Sequence, residues 1–223
     1  ESEGVYQPVY SVQGLAGAVY EITAAEDIYT LDNTLRYAAG EVVDTVTTDE
    51  TGLAESKPLY LGKYEIREIE APYGMVLNGE IYAAELVYVG QEIEITETAA
   101  SFYNERQKAA VSLDKVLEQN NLFGIGANGE MSAVTFGLFA AGELTAADGS
   151  VIPADGLLEI LSVDENGCAV CKTDLPFGSF YFKELSTDDH YILSDEKYPV
   201  VFEYAGQDAA LVEIRANDGE PID

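Results

Sequence analysis

Two glutamates break an otherwise regular pattern. In "LGKYEIREIEAP", ending at Pro72, and in "FGSFYFKELSTDD", ending at Asp189, a glycine turn leads into an alternating run. Glu68 and Glu184 fall where the alternation asks for an apolar residue. Successive side chains of a strand point to opposite faces, so Tyr64, Ile66 and Glu68 share one face, and Phe180, Phe182 and Glu184 share another. A lysine breaks the pattern in the same way. In "AAVSLDKV", Val111, Leu113 and Lys115 alternate with Ser112 and Asp114, so Lys115 points inward like Glu184. Unpaired buried charges are strongly disfavoured, which makes a buried Lys115–Glu184 ion pair the plainest reading of the second half.

Other reactive residue types are poorly arranged for chemistry. Cys168 and Cys171 are the only cysteines, and a spacing of three on a strand sends them to opposite faces, which disfavours a disulfide and leaves free, half-buried thiols. Neither a helix start nor a second ligand pair accompanies them, as a redox or zinc site requires. His190 in "DDHYIL" is the sole histidine, with no Gly-flanked Ser or reactive Cys for a hydrolase, and reads as a surface residue after a turn. "DENG" and "AADGSVIPADG" lack the alternating oxygen ligands and terminal Glu of a calcium loop and read as turns. Tyr82, Tyr88, Tyr181 and Tyr191 read as core and sheet-face packing rather than a carbohydrate platform. No metal site and no cofactor are expected.

The elements that must hold these residues are strands. Apolar residues alternate or cluster in short runs, and turn formers recur as "DETG", "APYG", "LNG", "AADG", "DENG" and "ANDG". Many short strands with regular turns imply an all-β sandwich or barrel. Only "AAGEL" and "TAAED" suggest a brief helical turn. The two halves also repeat. Residues 15–27 match 134–149, 48–78 match 163–194, and 82–91 match 198–207, in the same order. A period near 115 is too long for a solenoid, so two tandem domains are expected, 1–107 and 108–223, joined stiffly near "NERQKAAVSLDK".

The charge is lopsided: 41 Asp and Glu against 11 Lys and Arg, spread evenly over both halves. A net charge near −30 repels phosphate backbones and anionic bilayers, which argues against nucleic acid and membrane surfaces as partners. No run approaches the roughly 20 apolar residues that span a bilayer, and no signal peptide is visible.

The blocks "LAGAVYEI", "GKYEIREIEAPYGMVLN", "FYNERQ" and "VSLDK", with their second-half partners, resemble the Cna B-type domains, also called SpaA or prealbumin-like domains, of Gram-positive adhesins and pilins. The resemblance covers nearly the whole chain, with Met75 where the family usually has Tyr. It implies two tandem Greek-key β-sandwiches of seven strands, each serving as a spacer or binding module on a cell surface. It also implies a single-turnover reaction. Many members join a lysine on the first strand to an asparagine or aspartate on the last, through an autocatalytic isopeptide bond assisted by a buried acid. Burial lowers a lysine's pKa and raises a glutamate's, so an apolar core can hold a neutral amine beside a protonated acid. The amine is then a nucleophile, the acid polarises the carboxamide and shuttles protons, and contact supplies a high effective concentration.

Carried onto this sequence, the resemblance makes Lys115 the nucleophile and Glu184 the acid. Asn217 lies in the region of the acceptor, but alternation sets it with Arg215 and Glu213 and away from Val212, Ile214 and Ala216, so a bulge is needed to turn it inward. Registering the halves on "VGQ" and "AGQ" brings "FYN" towards "PID", which makes Asp223, or a residue beyond the end, the alternative acceptor and leaves the last strand truncated. In the first half Glu68 and Asn104 fit, but Lys57 and Lys63 sit beside turns. No lysine is visible on a first strand there: either the sequence starts after that strand or this domain never had the bond.

The expected role is a structural stalk or spacer of a secreted, wall-attached adhesin or pilin-like protein, without catalytic turnover. Its partners are neighbouring domains of the same protein, and the chain is expected to be a monomer. The alternative is an adhesin module that recognises a host matrix protein or glycan, which an exposed apolar or aromatic patch favours.

Overall fold

The computed structural model describes residues 4–223. It is all-β, with fifteen strands and two short 3-10 turns, Glu130–Ala133 and Asn217–Gly219. Neither "TAAED" nor "AAGEL" forms a helical turn: Thr23 and Ala24 end a strand, and Leu144 starts one. The chain divides into two compact units. One, the N-terminal unit, comprises Val12–Gln107 with Gly206–Ala210. The C-terminal unit comprises Lys108–Ala205 and Leu211–Asp223 with the segment that ends at Ser11.

The C-terminal unit is a seven-stranded sandwich with a small added hairpin. One sheet has the order β11(Leu157–Ser162), β8(Thr135–Ala140), β13(Gly178–Ser186), β14(Lys197–Phe202). The other has the order β12(Cys168–Val170), β7(Lys108–Asp114), β15(Leu211–Arg215), with β7 and β15 parallel and the remaining pairs antiparallel. The hairpin is β9(Leu144–Thr145) with β10(Val151–Ile152). Alternation explains the layering: Phe180, Phe182, Val200, Phe202, Phe136, Leu138, Val111 and Leu113 all turn inward and are almost wholly excluded from water. Burying a side chain of this size contributes about 1.5–3 kcal/mol.

The N-terminal unit repeats only one of those sheets. Its order is β4(Val42–Thr47), β1(Val19–Ala24), β5(Gly62–Glu70), β6(Ile81–Leu86), strand for strand the counterpart of β11-β8-β13-β14. The hairpin β2(Ile28–Tyr29)–β3(Leu35–Tyr37) matches β9–β10. No strand corresponds to β7, β12 or β15 among the described residues of this unit. Its apolar cluster is accordingly small, centred on Ile22, Ala24, Ile28, Val43, Tyr64 and Ala84. Edge strand β6 leaves Ile81 and Tyr82 exposed, and Tyr88 lies exposed beyond it. Tyr82 keeps a sheet-face contact, its ring edge-on to Phe102 at 6.4 Å, whereas Tyr88 does not have the packing role expected of it. Tyr181 is buried as expected and stacks on Phe139 at 5.2 Å.

The acidic "DENG" and "AADG" segments are turns, as their residues predict. The carboxylates of Asp164 and Asp148 accept hydrogen bonds from nearby backbone amides, Asn166 and Cys168 in one loop and Ser150 in the other. No group of three or more potential metal ligands gathers among the described residues. No helix among them is long and apolar enough to cross a membrane.

Candidate functional site

In the C-terminal unit the alternation of β7 carries Lys115 inward, one residue past the end of the strand. Its backbone is fixed from both sides. The Lys115 amide donates to the carbonyl of Gly167 at 2.7 Å, and a parallel bridge sets Lys115 beside Ile222. Strand β13 brings Glu184 into the same core. The Lys115 Nζ lies 3.6 Å from Glu184 Oε1, with the two side chains 6% and 2% exposed. Oε2 of Glu184 accepts the backbone N–H of Ser194 at 2.9 Å, whereas Oε1 has no hydrogen-bond partner and faces the ammonium only as a charge.

The N-terminal unit builds the same acid without the base. Glu68 is 5% exposed, and its Oε2 accepts the backbone N–H of Asn78 at 2.7 Å, ten residues along, as Ser194 is from Glu184. The same oxygen accepts Nδ2 of Asn104 at 2.7 Å, and that amide also reaches the carbonyl of Val76 at 3.1 Å. Oε1 of Glu68 has no well-formed hydrogen bond. Directly across the ladder stands Tyr20, where the second unit has Phe136. Burial pushes the Tyr20 phenol up to about 12, helped by the charge of Glu68 and by its interaction with that carboxylate. Neutral donors therefore surround Glu68. The lysines of this half are elsewhere: Lys63 pairs with Glu26 at 3.7 Å on the surface, and Lys57 is exposed beside Asp44.

The structure does not bring Asn217 to the Lys115–Glu184 pair. The "ANDG" segment forms a 3-10 turn in which Asn217 and Asp218 both have positive φ, and the Asn217 carboxamide donates to the carbonyls of Glu220 and Pro221. A bulge is present, but it serves another residue. Arg215 pairs with Ser112 and Ile222 with Lys115, so seven steps on the last strand match three on the first and four residues loop out. The chain then returns to β7: the Ile222 N–H donates to Asp114 O, and the Val116 N–H donates to Ile222 O. Ile222, 1% exposed, thus takes the inward place beside Lys115, and Asp223 is exposed. The offset of 116 residues that carries Glu68 to Glu184 carries Asn104 to Glu220, not to Asp223.

Several members of the site were absent from the sequence reading: Tyr20, the amides of Asn78 and Ser194, and Ile222. The matched blocks 48–78 and 163–194 end on those two amides, which is the signal that marks them. Beside Asn78 a cleft of about 380 Å³ opens, lined by Val76, Asn78, Glu80, Tyr103 and Glu105 among others. Of the remaining candidates, both thiols are free and half-buried, as the spacing requires. Cys171 Sγ donates to Glu159 Oε2 at 3.1 Å, and burial, followed by that carboxylate, pushes its thiol up to about 12. His190 is exposed and held by Asp188 at 2.5 Å, which raises its pKa.

Comparison with known proteins agrees with this architecture. Residues 10–100 match the family model described as SpaA, a prealbumin-like fold domain. Over 80 residues the chain is 30% identical to the trypsin-resistant surface T6 protein of Streptococcus pyogenes, a match that covers 35% of this chain and 15% of that protein. Among solved structures, the Bacillus anthracis TIE protein superposes with a TM-score of 0.53 at 21% identity, over 95% of this chain and 33% of that one. The minor pilin GBS52 of Streptococcus agalactiae aligns over 97% of this chain and 91% of its own, at 15% identity and a TM-score of 0.31. The chain therefore spans a small part of the curated relative and about a third of the TIE protein. Its residues 10–100 are thus similar to the SpaA prealbumin-like fold domains.

Proposed function

We propose that this chain is a structural module, a spacer in a pilin- or adhesin-type protein on the surface of a Gram-positive bacterium. The observation that carries this reading is the Lys115–Glu184 pair, which ties the first strand of the C-terminal sandwich to a middle strand inside the core. Similarity to a streptococcal surface protein and to the SpaA domain family supports the cell-surface setting. Neighbouring domains of the same protein are the partners such a spacer has.

Within this reading, Lys115 and Glu184 are the amine and the acid that an intramolecular isopeptide crosslink requires, with the bond itself waiting on an acceptor carboxamide or carboxyl beside them. The amine nitrogen attacks the acceptor's side-chain carbonyl carbon, an N–C bond forms, and ammonia or water leaves with protons passed through the Glu184 carboxyl. The acceptor place on the last strand is the one Ile222 occupies, not that of Asn217. Asp223, or a residue after it, reaches the amine only if that strand slides along β7. Glu68 and Asn104 form the corresponding acid and carboxamide of the N-terminal unit, with Tyr20 supplying a neutral donor in place of a lysine.

Single-molecule stretching of the chain between terminal handles tests the spacer role. The C-terminal sandwich should yield at the higher force, and Lys115→Met should lower that force. Two units that yield at equal force, both insensitive to Lys115→Met, would remove the basis of the reading.

A further inference from the structure

From Gly4 to Tyr20 there is no charged residue, in a chain whose net charge is −30. The first part of that stretch is not idle. Val5 bridges Leu157 in parallel, at the start of edge strand β11, and the Tyr6 N–H donates to the Leu157 carbonyl at 2.7 Å. Gln7 Nε2 donates to Leu158 O at 3.3 Å. The Ala147 N–H, in the turn of the β9–β10 hairpin, donates to Val9 O at 3.0 Å, and the Tyr10 hydroxyl donates to Asp174 O at 2.8 Å. An extended segment thus runs past three separate parts of the C-terminal unit. Gly156 sits close beneath it: a Cβ there would meet the Pro153 carbonyl at 2.8 Å, Ile152 at 3.1 Å and the Tyr6 ring at 3.2 Å.

The recognition uses main-chain atoms throughout on the receiving side. That is the chemistry of strand addition to an open sheet edge, in which backbone bonds hold the guest and shallow side-chain contacts select it. The hold is shallow. Tyr6, Val9 and Tyr10 remain about two-fifths exposed at 39%, 41% and 41%, and only Val5 and Pro8 are partly covered. A segment held by a few exposed hydrogen bonds and little apolar burial belongs to the low-stability end of a fold and opens readily.

We propose that the edge of β11 around Gly156–Leu158, with the Ala147 turn and the Asp174 carbonyl, is a docking site for an extended Val-Tyr-x-Pro-Val-Tyr segment, filled in cis by Val5–Tyr10 and open to the same segment of a second copy. Charge favours that occupant. Two chains of net charge −30 repel each other, and the neutral segment is where one can approach another with least repulsion. Pro8 supplies no N–H, so the added strand cannot extend into a longer ladder, and reciprocal exchange closes on a dimer rather than growing into a fibre. This site is separate from the Lys115–Glu184 pair and does not depend on its chemistry.

The test uses a labelled peptide of residues 4–11 and two full-length chains, the native one and Tyr6→Pro, which deletes the N–H given to Leu157. Tethering sets an effective concentration of about millimolar for the segment's own seat, so the native chain should bind the peptide about tenfold more weakly than Tyr6→Pro. Light scattering should then show a dimer fraction of the native chain that grows with concentration and that excess peptide disperses. Equal binding to both chains, or none to a Tyr6→Pro chain with native circular dichroism, overturns the docking site. Peptide binding to a chain that stays monomeric at every concentration overturns the second copy as its occupant.

Discussion

Lys115 and Glu184 meet at 3.6 Å in the core of a seven-stranded sandwich, both almost fully excluded from water, whereas Glu68, at the matching place of the other unit, faces Tyr20 and Asn104 instead of a cation. One fold thus keeps the same buried acid in two different ways.

Breaking the charged pair on one side should cost far more than removing both charges. Lys115→Met leaves Glu184 buried without its cation and should destabilise the C-terminal unit by about 3–5 kcal/mol, whereas Lys115→Met with Glu184→Leu should recover much of that loss. Denaturant unfolding of the singles and the double, followed by hydrogen exchange in β7 and β13, measures the coupling. Additive losses would show that the pair does not act as a unit.

The two acids should respond differently to loss of charge. Glu68→Gln keeps an acceptor oxygen for Asn78 and Asn104, and its cost should stay near 1 kcal/mol, the scale of one rearranged hydrogen bond. Glu184→Gln strips the buried ammonium of its counter-charge and should cost several times more. Equal losses, read by amide exchange within each unit, would refute the contrast drawn between them.

Alkali should loosen the fold once the pH passes the ordinary range of thiols and tyrosines. Tyr20, Tyr64 and Cys171 all titrate at about 12 in the folded chain, chiefly because burial penalises their charged forms. The unfolded chain gives up those protons near its ordinary values of 10.0 and 9.0. Between those values and about 12 the folded state therefore holds more protons, so stability is fully present below about 9 and falls as pH rises through the window. The thermal midpoint should decline over that range, and Tyr20→Phe should flatten the decline. Alkylation at pH 8 should reach Cys168 well before Cys171, and the reverse order would contradict the burial of Cys171.

Gly167 should tolerate no side chain. Its φ is +87°, and a Cβ there would collide with the Lys115 carbonyl that the same turn faces. Gly167→Ala should cost at least about 1–3 kcal/mol through strain and lost hydrogen bonding. A neutral effect on the unfolding midpoint would show that the turn does not position Lys115.

The β-sandwich and its inward charges were legible because alternation and glycine turns are local signals: Val111, Leu113, Lys115, Phe180, Phe182 and Glu184 lie on the faces their spacing assigns. What escaped is non-local. Asn217 depended on whether a bulge would turn it inward, and the four looped-out residues gave that place to Ile222, whose apolar side chain fits the core better than a carboxamide. Tyr88 reads as a packing residue, yet among the described residues its unit forms no second sheet to cover it. Tyr20 reads as one more alternating aromatic, and only the β1–β5 register places it across from Glu68.

The most direct measurement of whether Lys115 and Glu184 are an amine and acid poised for amide formation is the intact mass of the Ile222→Asn chain, which sets a carboxamide in the inward place beside Lys115. A poised pair predicts that the native chain has the mass of its sequence. Folded Ile222→Asn should be lighter by one ammonia, a deficit that Glu184→Gln abolishes. A folded Ile222→Asn chain of full mass, or a native chain whose ammonia deficit vanishes with Asn217→Ala, would contradict it.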